Sequence, residues 1–264
     1  KPQKKAAEKL KAESKTLRDL KMLGSHDAGT GYFANVISFL EGALVTQMTD
    51  LVTQANCGVR AFDFRIGTYK RALGSETPVL FHHNGFFVNT DAHTWASSDA
   101  HTVSNTLKSL VLWANEHPSE LLVIMLKDCR ICKTCDPGTT GVEGGCGDCT
   151  VYGKDKNAML QPRLMKPFKD NRIQIHPDID CSKENMVNIM KKSKVPGGGH
   201  ILVTPEGQFD DNWASPVWNG KKDPNNFYWG VRTLDTLWSY FKRSLSNFKK
   251  GKNDRPFWLQ AMWQ

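Results

Sequence analysis

The sequence predicts an α/β protein, built as a single domain with a distorted (β/α)8 barrel of the TIM type. Short apolar segments typical of buried strands recur along the chain, and polar or helix-like stretches separate them. Strands that alternate with helices favour parallel pairing through right-handed crossovers. The chain has 264 residues, and barrels of this type commonly need about 250. Together, the alternation and the length predict a barrel over residues 21–264.

Seven segments have the length and apolar character of strands. They are residues 21–23, 59–66, 79–81, 121–126, 173–175, 201–203 and 257–263. Two longer segments between them, residues 36–54 and 103–116, have the pattern of helices. The sequence contains no internal repeat and no clear boundary between two domains.

The first 20 residues are rich in lysine, and Leu10, Leu17 and Leu20 recur among them near helical spacing. This pattern predicts a basic amphipathic helix over residues 1–20. Two interpretations of the helix stay open: its leucines pack on the domain, or its basic face is attracted to an anionic membrane. The net charge of +8 favours acidic partners without choosing among them.

Residues 129–150, rich in cysteine and glycine, follow the fourth predicted strand, and we expect them to form an insertion. They hold five of the seven cysteines, namely Cys129, Cys132, Cys135, Cys146 and Cys149. The spacing of the last four suits a tetrahedral zinc site, and it equally suits a loop stapled by disulfides. We favour disulfides because a four-ligand site would not use Cys129. Zinc at Cys132, Cys135, Cys146 and Cys149 is the second interpretation. For Cys57 we predict a free thiol.

Polar residues stand at the ends of four consecutive predicted strands. In chain order these residues are His26 and Asp27, Asp63 and Arg65, His82 and His83, and Lys127 and Asp128. In a β/α barrel the active site lies at the carboxyl ends of the strands and in the loops that follow them. We therefore expect the four pairs to converge on one site.

Two histidines and an arginine supply what cleavage of a phosphodiester by an internal hydroxyl requires. One imidazole removes the proton of the hydroxyl and the other protonates the leaving oxygen, because an imidazole pKa near ~6.5 permits both roles. Arg65 offers a planar fork of donors for the phosphate oxygens. A carboxylate beside each histidine would fix its orientation, and Asp27 and Asp63 are the available candidates.

Four sequence blocks resemble, in family order, the signatures of phosphatidylinositol-specific phospholipase C X-domains and X-domain-containing proteins. The blocks are residues 23–30 (LGSHDAGT), 58–66 (GVRAFDFRI), 81–85 (FHHNG) and 117–127 (HPSELLVIMLK). The last strand, residues 257–260, is similar to the closing strand of X-domain-containing proteins. Beyond residue 129 the resemblance otherwise fades.

The resemblance implies catalytic roles for five residues. His26 would be the general base on the inositol 2-hydroxyl, Arg65 the phosphate clamp, and Asp27 the partner of the second histidine. That second histidine would be the general acid for the diacylglycerol oxygen. The family places it just before a glycine, whereas here Asn84 intervenes, so we choose His83 and keep His82 in reserve.

We expect three further residues to bind the substrate headgroup, namely Asp63, Lys127 and Glu206. Calcium-dependent members of the family carry Glu-x-Asp where this chain has Asp63-Phe64-Arg65. The arginine puts a fixed positive charge where a hard cation would lie, so the resemblance implies calcium-independent catalysis without metal or cofactor.

One departure from the family concerns the partner of His26. Bacterial members have an aspartate in the last strand that contacts the first histidine, and this sequence has none near Met262. Asp210, Asp211 and Asp235 are the replacements that the sequence offers.

We therefore expect a phosphodiesterase, acting as a phosphorus-oxygen lyase, that cleaves phosphatidylinositol or a glycosylphosphatidylinositol-like lipid to diacylglycerol and inositol cyclic phosphate. Its partner would be a phosphoinositide or another anionic phospholipid at a membrane surface. The resemblance implies a secreted or extracellular protein, and we expect a monomer. Any contact with the membrane would be peripheral, because no apolar run approaches the roughly 18 residues of a spanning helix. We expect no nucleic-acid partner, because the tryptophan-rich residues 205–230 carry few arginines.

Three alternatives stay open. The first is a catalytically weak or inactive X-domain that binds a lipid headgroup or a protein. The second is a related phosphodiesterase that acts on another phospholipid. The third is a zinc-dependent interaction loop, made by the cysteine-rich residues, on an otherwise structural barrel.

Overall fold

The computed structural model has a mixed α/β fold. It describes residues 15–32, 47, 49–70, 76–83, 86–87, 102–133, 149–152, 160–205, 242 and 257–260. The strands are β1 (Lys21–Ser25), β2 (Val59–Tyr69), β3 (Leu80–His83), β4 (Phe86–Phe87), β5 (Leu121–Cys132), β6 (Cys149–Val151), β7 (His200–Pro205) and β8 (Phe257–Gln260). The α-helices of these residues are α1 (Leu51–Asn56), α2 (Val103–Glu116), α3 (Pro162–Asp170) and α4 (Met186–Lys192).

Five of the strands pair in parallel, in the order β8-β1-β2-β5-β7. This arrangement agrees with the parallel pairing expected from alternating strands and helices. The segment between β7 and β8 lies outside the described residues except for Lys242. Closure of the sheet into a barrel therefore stays a prediction.

The third strand does not follow the predicted parallel direction. β3 pairs antiparallel with β2, with Phe81 opposite Ile66 and Leu80 opposite Gly67. β5 pairs with one edge of β2. β1 and β3 both pair with the other edge, and β3 begins to pair beyond the end of β1. Only ten residues, 70–79, separate β2 from β3, and a parallel crossover needs a dozen or more.

Five strands, β1, β2, β3, β5 and β7, are longer than the sequence predicted, and β2 and β5 extend furthest past their predicted ends. β2 continues to Tyr69 and β5 to Cys132, because the two strands stay paired there and β6 joins β5 antiparallel. Arg65 and Lys127 consequently lie within strands rather than at their ends, although they are partners in adjacent strands as the convergence of the four pairs requires.

The helix predicted over residues 103–116 is confirmed, whereas the helix predicted over residues 36–54 is interrupted at Asp50. α2 has the predicted bounds, and the Thr102 side chain accepts a hydrogen bond from the Asn105 backbone N–H to cap it. The helix predicted over residues 36–54 cannot run through Asp50. That residue is extended and its carboxylate accepts from the Thr53 N–H, which starts α1 at Leu51. The strand predicted at residues 173–175 is a single bridge from Ile175 to Val203.

The alternation of side chains along β2 and β5 divides the core into two clusters. Phe62, Phe64 and Ile66, on one face of β2, pack in a cluster with residues of α1 and α2. The opposite face begins with Ala61, in a second cluster that also contains Val123 and Met125 of β5. Because strand side chains alternate, Asp63, Arg65 and Lys127 continue this second face beyond its apolar part. The charged residues of the sheet therefore lie on the same face as the second core cluster and next to it.

The fourth family-like block supports the opposite end of the sheet. Glu120, just before β5, pairs with Arg60 at 3.0 Å, and the Arg60 guanidinium lies 4.8 Å from the centre of the Trp113 ring. The His117 ring stacks on Trp113 with centroids 4.1 Å apart. These contacts fix the start of β5 against β2 and α2.

Residues 17–19 form a short 3-10 helix, and Leu17 is fully buried in the second core cluster, where Leu20 packs against it. Residues 15, 16 and 20 of the predicted basic helix are not helical, since Thr16 forms a bridge with Asn185 and Leu20 is extended. Residues 1–14 lie outside the described residues. Among the helices described above, none is both long enough and apolar enough to cross a membrane.

The described cysteines include both free and bonded ones. Cys57 is a free, exposed thiol as predicted, and Cys129 and Cys181 are free and buried. Cys132 is disulfide-bonded. Because Cys132 is already bonded, it is not available as a ligand of the zinc site considered for residues 129–150. Cys135 and Cys146 lie outside the described residues, so the partner of Cys132 stays a prediction, as does the insertion itself.

Candidate active site

The loop after β1 carries the first two candidate residues. β1 ends at Ser25, and Asp27 has a φ of 44°, a left-handed conformation that aspartate tolerates better than most residues. The buried Gln54 of α1 accepts a hydrogen bond from the Ser25 hydroxyl at 2.7 Å. The Gln47 side chain donates to the His26 carbonyl at 3.0 Å. These two glutamines fix the turn that presents His26 and Asp27.

Gly29 allows β3 to approach this loop. A Cβ atom at Gly29 would overlap the ring of Phe81, so a residue with a side chain would push the strand away. Because β3 runs antiparallel to β2, the chain after Phe81 returns towards the end of β1. The glycine of the first block therefore brings His83 next to the turn that holds Asp27.

Asp27 lies at the centre of the site. Its Oδ2 atom is 3.2 Å from Nε2 of His26 and 3.2 Å from Nε2 of His83. Its Oδ1 atom contacts Nε of Arg65. The Asp27 side chain is fully buried, and the three partners are at most 12% exposed. One carboxylate thus joins both histidines and the arginine.

Asp63 provides a second carboxylate from the face of β2 that also carries Arg65. Its Oδ2 atom lies 3.3 Å from Nδ1 of His26 and 3.5 Å from Nη2 of Arg65. His26 is therefore held between two carboxylates, Asp27 at Nε2 and Asp63 at Nδ1. The sequence named these two aspartates as candidate partners for the histidines, and the structure brings them to that position.

The pKa values of the two aspartates shift in opposite directions. Burial raises the pKa of Asp27 to about 6, against the opposing charges of His26 and Arg65. Burial would also raise the pKa of Asp63, but the Arg65 charge, the hydrogen bond from His26 and the Lys127 charge outweigh it and hold that pKa far below its usual range. Asp63 is therefore a permanent carboxylate, whereas Asp27 is close to exchanging a proton at neutral pH.

Burial and positive charge affect the other ionisable groups. Burial, together with the charges of Arg65 and His26, lowers the pKa of His83 to about 4. Burial would lower the pKa of Arg65, but Asp63, Asp27 and Asp128 together raise it. His83 is consequently neutral at pH 7, and Arg65 keeps its charge.

The two histidines of β3 have different partners. His83 contacts Asp27, whereas Nε2 of His82 lies 2.8 Å from the carbonyl oxygen of Asp128. The Asp128 carboxylate in turn accepts hydrogen bonds from Nε and Nη2 of Arg130, at 3.1 and 2.9 Å. Sequence reasoning missed Arg130. Its position three residues after Lys127 in an apolar strand is the one signal that pointed to it.

The remaining expected site residues divide into two groups. Lys127 lies opposite Arg65 in the adjacent strand, and its charge acts on Asp63. Asn84 and Glu206 lie outside the described residues, as do Asp210, Asp211 and Asp235, the replacements considered for the partner of His26. In the described site Asp63 contacts His26 instead.

The site also contains a set of possible metal ligands. One atom each from His26, Asp27 and Asp63 lies within 4.8 Å of the others. The Arg65 guanidinium contacts both carboxylates, so it competes with a cation for the same oxygens. Calcium prefers six to eight oxygen ligands, and a set of two carboxylates already paired with an arginine fits it poorly.

Comparisons with known proteins give matches at the level of structure. No family model matches the sequence, and no curated protein matches it. A structure of the phosphatidylinositol-specific phospholipase C of Staphylococcus aureus is 16% identical, with a TM-score of 0.51 over 96% of this chain and 76% of that chain. A mutant of that enzyme and a form with pentafluoro-Phe each have 16% identity and a TM-score of 0.50, over 94% of this chain and 74% of theirs. The chain shares the fold of these bacterial enzymes.

Proposed function

We propose that this protein is a calcium-independent phosphodiesterase that cleaves phosphatidylinositol, or a glycosylphosphatidylinositol-like lipid, to diacylglycerol and inositol cyclic phosphate. The observation that carries the proposal is the contact of one buried carboxylate, Asp27, with His26, His83 and Arg65 together. The fold shared with bacterial phosphatidylinositol-specific phospholipases C supports it.

In the proposed reaction His26 acts as the general base. Asp63 holds Nδ1 of His26, which leaves Nε2 directed at the centre of the site. The inositol 2-hydroxyl would replace Asp27 at Nε2 and lose its proton there. Its oxygen then attacks the phosphorus, and the bond from phosphorus to the glycerol oxygen breaks. The Asp63 carboxylate stabilises the imidazolium that forms.

His83 acts as the general acid in this proposal and protonates the departing diacylglycerol oxygen. Burial and the charge of Arg65 hold the pKa of His83 down, at about 4. A phosphodiester anion bound to Arg65 offsets that charge, so binding of the substrate raises the pKa of His83 towards the range in which it carries a proton. Asp27 orients the ring through Nε2, and Arg65 stabilises the negative charge that develops on the phosphate oxygens.

A module that binds a lipid headgroup without turnover is the second candidate. Its support is that both nitrogens of His26 already contact carboxylates, so a substrate hydroxyl must displace one of them. A phosphodiesterase that acts on another phospholipid is the third. Its support is that the described site contains groups for a phosphate and a leaving oxygen, which any phosphodiester has.

The test uses vesicles of phosphatidylinositol in phosphatidylcholine, with a calcium chelator, and follows water-soluble inositol phosphate by phosphorus NMR. We expect turnover that His26→Ala and His83→Ala abolish. The matched control is His176→Ala, which removes a histidine whose ring contacts the Lys192 carbonyl. Turnover that requires added calcium would overturn the calcium independence. Binding to the vesicles without turnover would support the second candidate. Release of phosphocholine from the phosphatidylcholine would support the third.

A further inference from the structure

His82 is buried in the site but directed away from its centre. His82 is 1% exposed, and its Nε2 atom lies 2.8 Å from the carbonyl oxygen of Asp128. A carbonyl oxygen can only accept a hydrogen bond, so the ring must donate its Nε2–H. This contact fixes the tautomer of the ring and commits Nε2 to the backbone of β5.

The backbone that His82 contacts is irregular. Asp128 has a φ of 43°, in the left-handed region that few residues other than glycine, asparagine and aspartate adopt. The register between β2 and β5 shifts at the same place. Arg65 pairs with Lys127, but Gly67 pairs with Arg130, so Asp128 and Cys129 together lie opposite Ile66. Such a bulge disrupts the ladder of hydrogen bonds, and the bond from His82 engages the Asp128 carbonyl within it.

The bulge carries charges that act on the site. Lys127 precedes it and lies opposite Arg65, and its charge contributes to the ionisation of Asp63. The Asp128 carboxylate binds Arg130 through two hydrogen bonds, and its charge supports that of Arg65. The position of the bulge therefore determines how Lys127 and Asp128 stand relative to Arg65.

We propose that His82 is a positioning residue, whose Nε2–H bond to the Asp128 carbonyl fixes the bulge of β5 and so places Lys127 and Asp128 against Arg65. It exchanges no proton with the substrate. The effect on turnover rests on the proposed function, whereas the effect on β5 does not.

The surroundings of the ring agree with this role. Arg130 of β5, Arg65 of β2 and His83 of its own strand act electrostatically on the ring, and all three carry or can carry positive charge. Burial and these charges lower the pKa of His82 to about 3, against the hydrogen bond to Asp128. The ring stays neutral throughout the pH range of the assays.

The kinetic test compares His82→Gln, whose amide can still donate to the carbonyl, with His82→Leu, which cannot, and with His83→Gln. On phosphatidylinositol vesicles we expect His82→Gln to retain kcat/KM within about threefold and to keep the pH profile of the unsubstituted protein. We expect His82→Leu to lose up to about 100-fold through misplacement of Lys127, and His83→Gln to lose about 100- to 10,000-fold. Loss of activity in His82→Gln equal to that in His83→Gln would show that His82 transfers a proton, and would overturn the proposal.

A second measurement does not depend on turnover. Nitrogen-15 NMR of the histidine rings, assigned by the signal that His82→Gln removes, reports the tautomer directly. We expect His82 to remain the neutral Nε2–H form from pH 5 to pH 8. Titration of His82 in this range, or the Nδ1–H tautomer, would contradict the proposal. If the unsubstituted protein turns over no lipid, the proposed function fails, while this measurement still tests the bond from His82 to the Asp128 carbonyl.

Discussion

The Nδ1 atom of His26 lies 3.3 Å from the Oδ2 atom of Asp63, two residues before Arg65 on the same strand. Asp63 thus provides His26 with a carboxylate partner, whereas the sequence near Met262 contains no aspartate. Asp63 is 1% exposed and its pKa is held far below the usual range by Arg65, His26 and Lys127 in spite of burial. It therefore presents a full negative charge to His26 at every pH at which the protein would work.

Replacement of Asp63 by asparagine tests this contact. Asp63→Asn keeps the shape of the side chain but removes the charge that stabilises a protonated His26. Since general base catalysis contributes about 100- to 10,000-fold, we expect kcat on phosphatidylinositol vesicles to fall by about 100-fold or more. The control is Asp170→Asn, which removes an exposed carboxylate paired with Lys166 and should leave kcat unchanged. Equal activity of Asp63→Asn and the unsubstituted protein would exclude Asp63 as the partner of a catalytic His26.

Replacement of Arg65 by lysine tests whether the shape of the guanidinium matters in addition to its charge. Arg65 contacts Asp27 through Nε and Asp63 through Nη2, and one ammonium group cannot reproduce this fork. We expect Arg65→Lys to lose about 100- to 1,000-fold in kcat, as for loss of a donor to a developing oxyanion. Arg163→Lys, at the exposed pair with Glu76, is the control. A loss of kcat/KM in Arg65→Lys that comes entirely from a higher KM, with kcat unchanged, would show that Arg65 only binds the substrate.

Replacement of Gly29 by alanine tests the approach of β3 to the loop after β1. The added methyl group would overlap the Phe81 ring, so β3 must move away and the contact of His83 with Asp27 must lengthen. We expect the free energy of unfolding to fall by about 1–3 kcal/mol, with loss of turnover in protein that is still folded.

Combination with Phe81→Leu provides the check on this prediction. The smaller side chain makes room for the methyl group, so the double variant should be less destabilised than the sum of the two single variants. Urea unfolding of the four proteins measures this difference. Strict additivity would mean that Gly29 and Phe81 do not interact.

The stability of the protein should depend on pH through His82. Its pKa is about 3 in the folded protein, lowered first by burial, and about 6.5 in the unfolded chain. Between these values the unfolded chain binds the proton, so this contribution is fully present above pH 6.5 and is lost as the pH falls towards 3.

His82→Leu removes this dependence. The difference in free energy of unfolding between the unsubstituted protein and His82→Leu should therefore shrink by about 2 kcal/mol from pH 7 to pH 5. Urea unfolding at both pH values measures it. His82→Gln should shift in the same way, because it also lacks the ionisable ring. A difference that does not change with pH would mean that the ring titrates in the folded protein as it does in the unfolded chain.

Much of the fold follows from local patterns in the sequence. The helix predicted over residues 103–116 has those bounds, because its apolar spacing and its Thr102 cap are contained in adjacent residues. The alternation in β2 likewise places Asp63 and Arg65 on one face and Phe62 and Phe64 on the other. Strand ends were less predictable. β2 and β5 extend to Tyr69 and Cys132 because each pairs with the other, and pairing partners are distant in sequence.

The chemical groups of the candidate site could be predicted from the sequence alone: the His26-Asp27 turn, Asp63 and Arg65 on one strand face, and a pair of adjacent histidines. Which histidine contacts Asp27, and which carboxylate contacts Nδ1 of His26, depends on how the strands are arranged in the fold. A period of two residues shows which side chains share a face of a strand. It does not tell which neighbour that strand pairs with, or in which direction. Because β3 runs antiparallel to β2 and returns towards the end of β1, His83 contacts Asp27 and His82 contacts the backbone of β5.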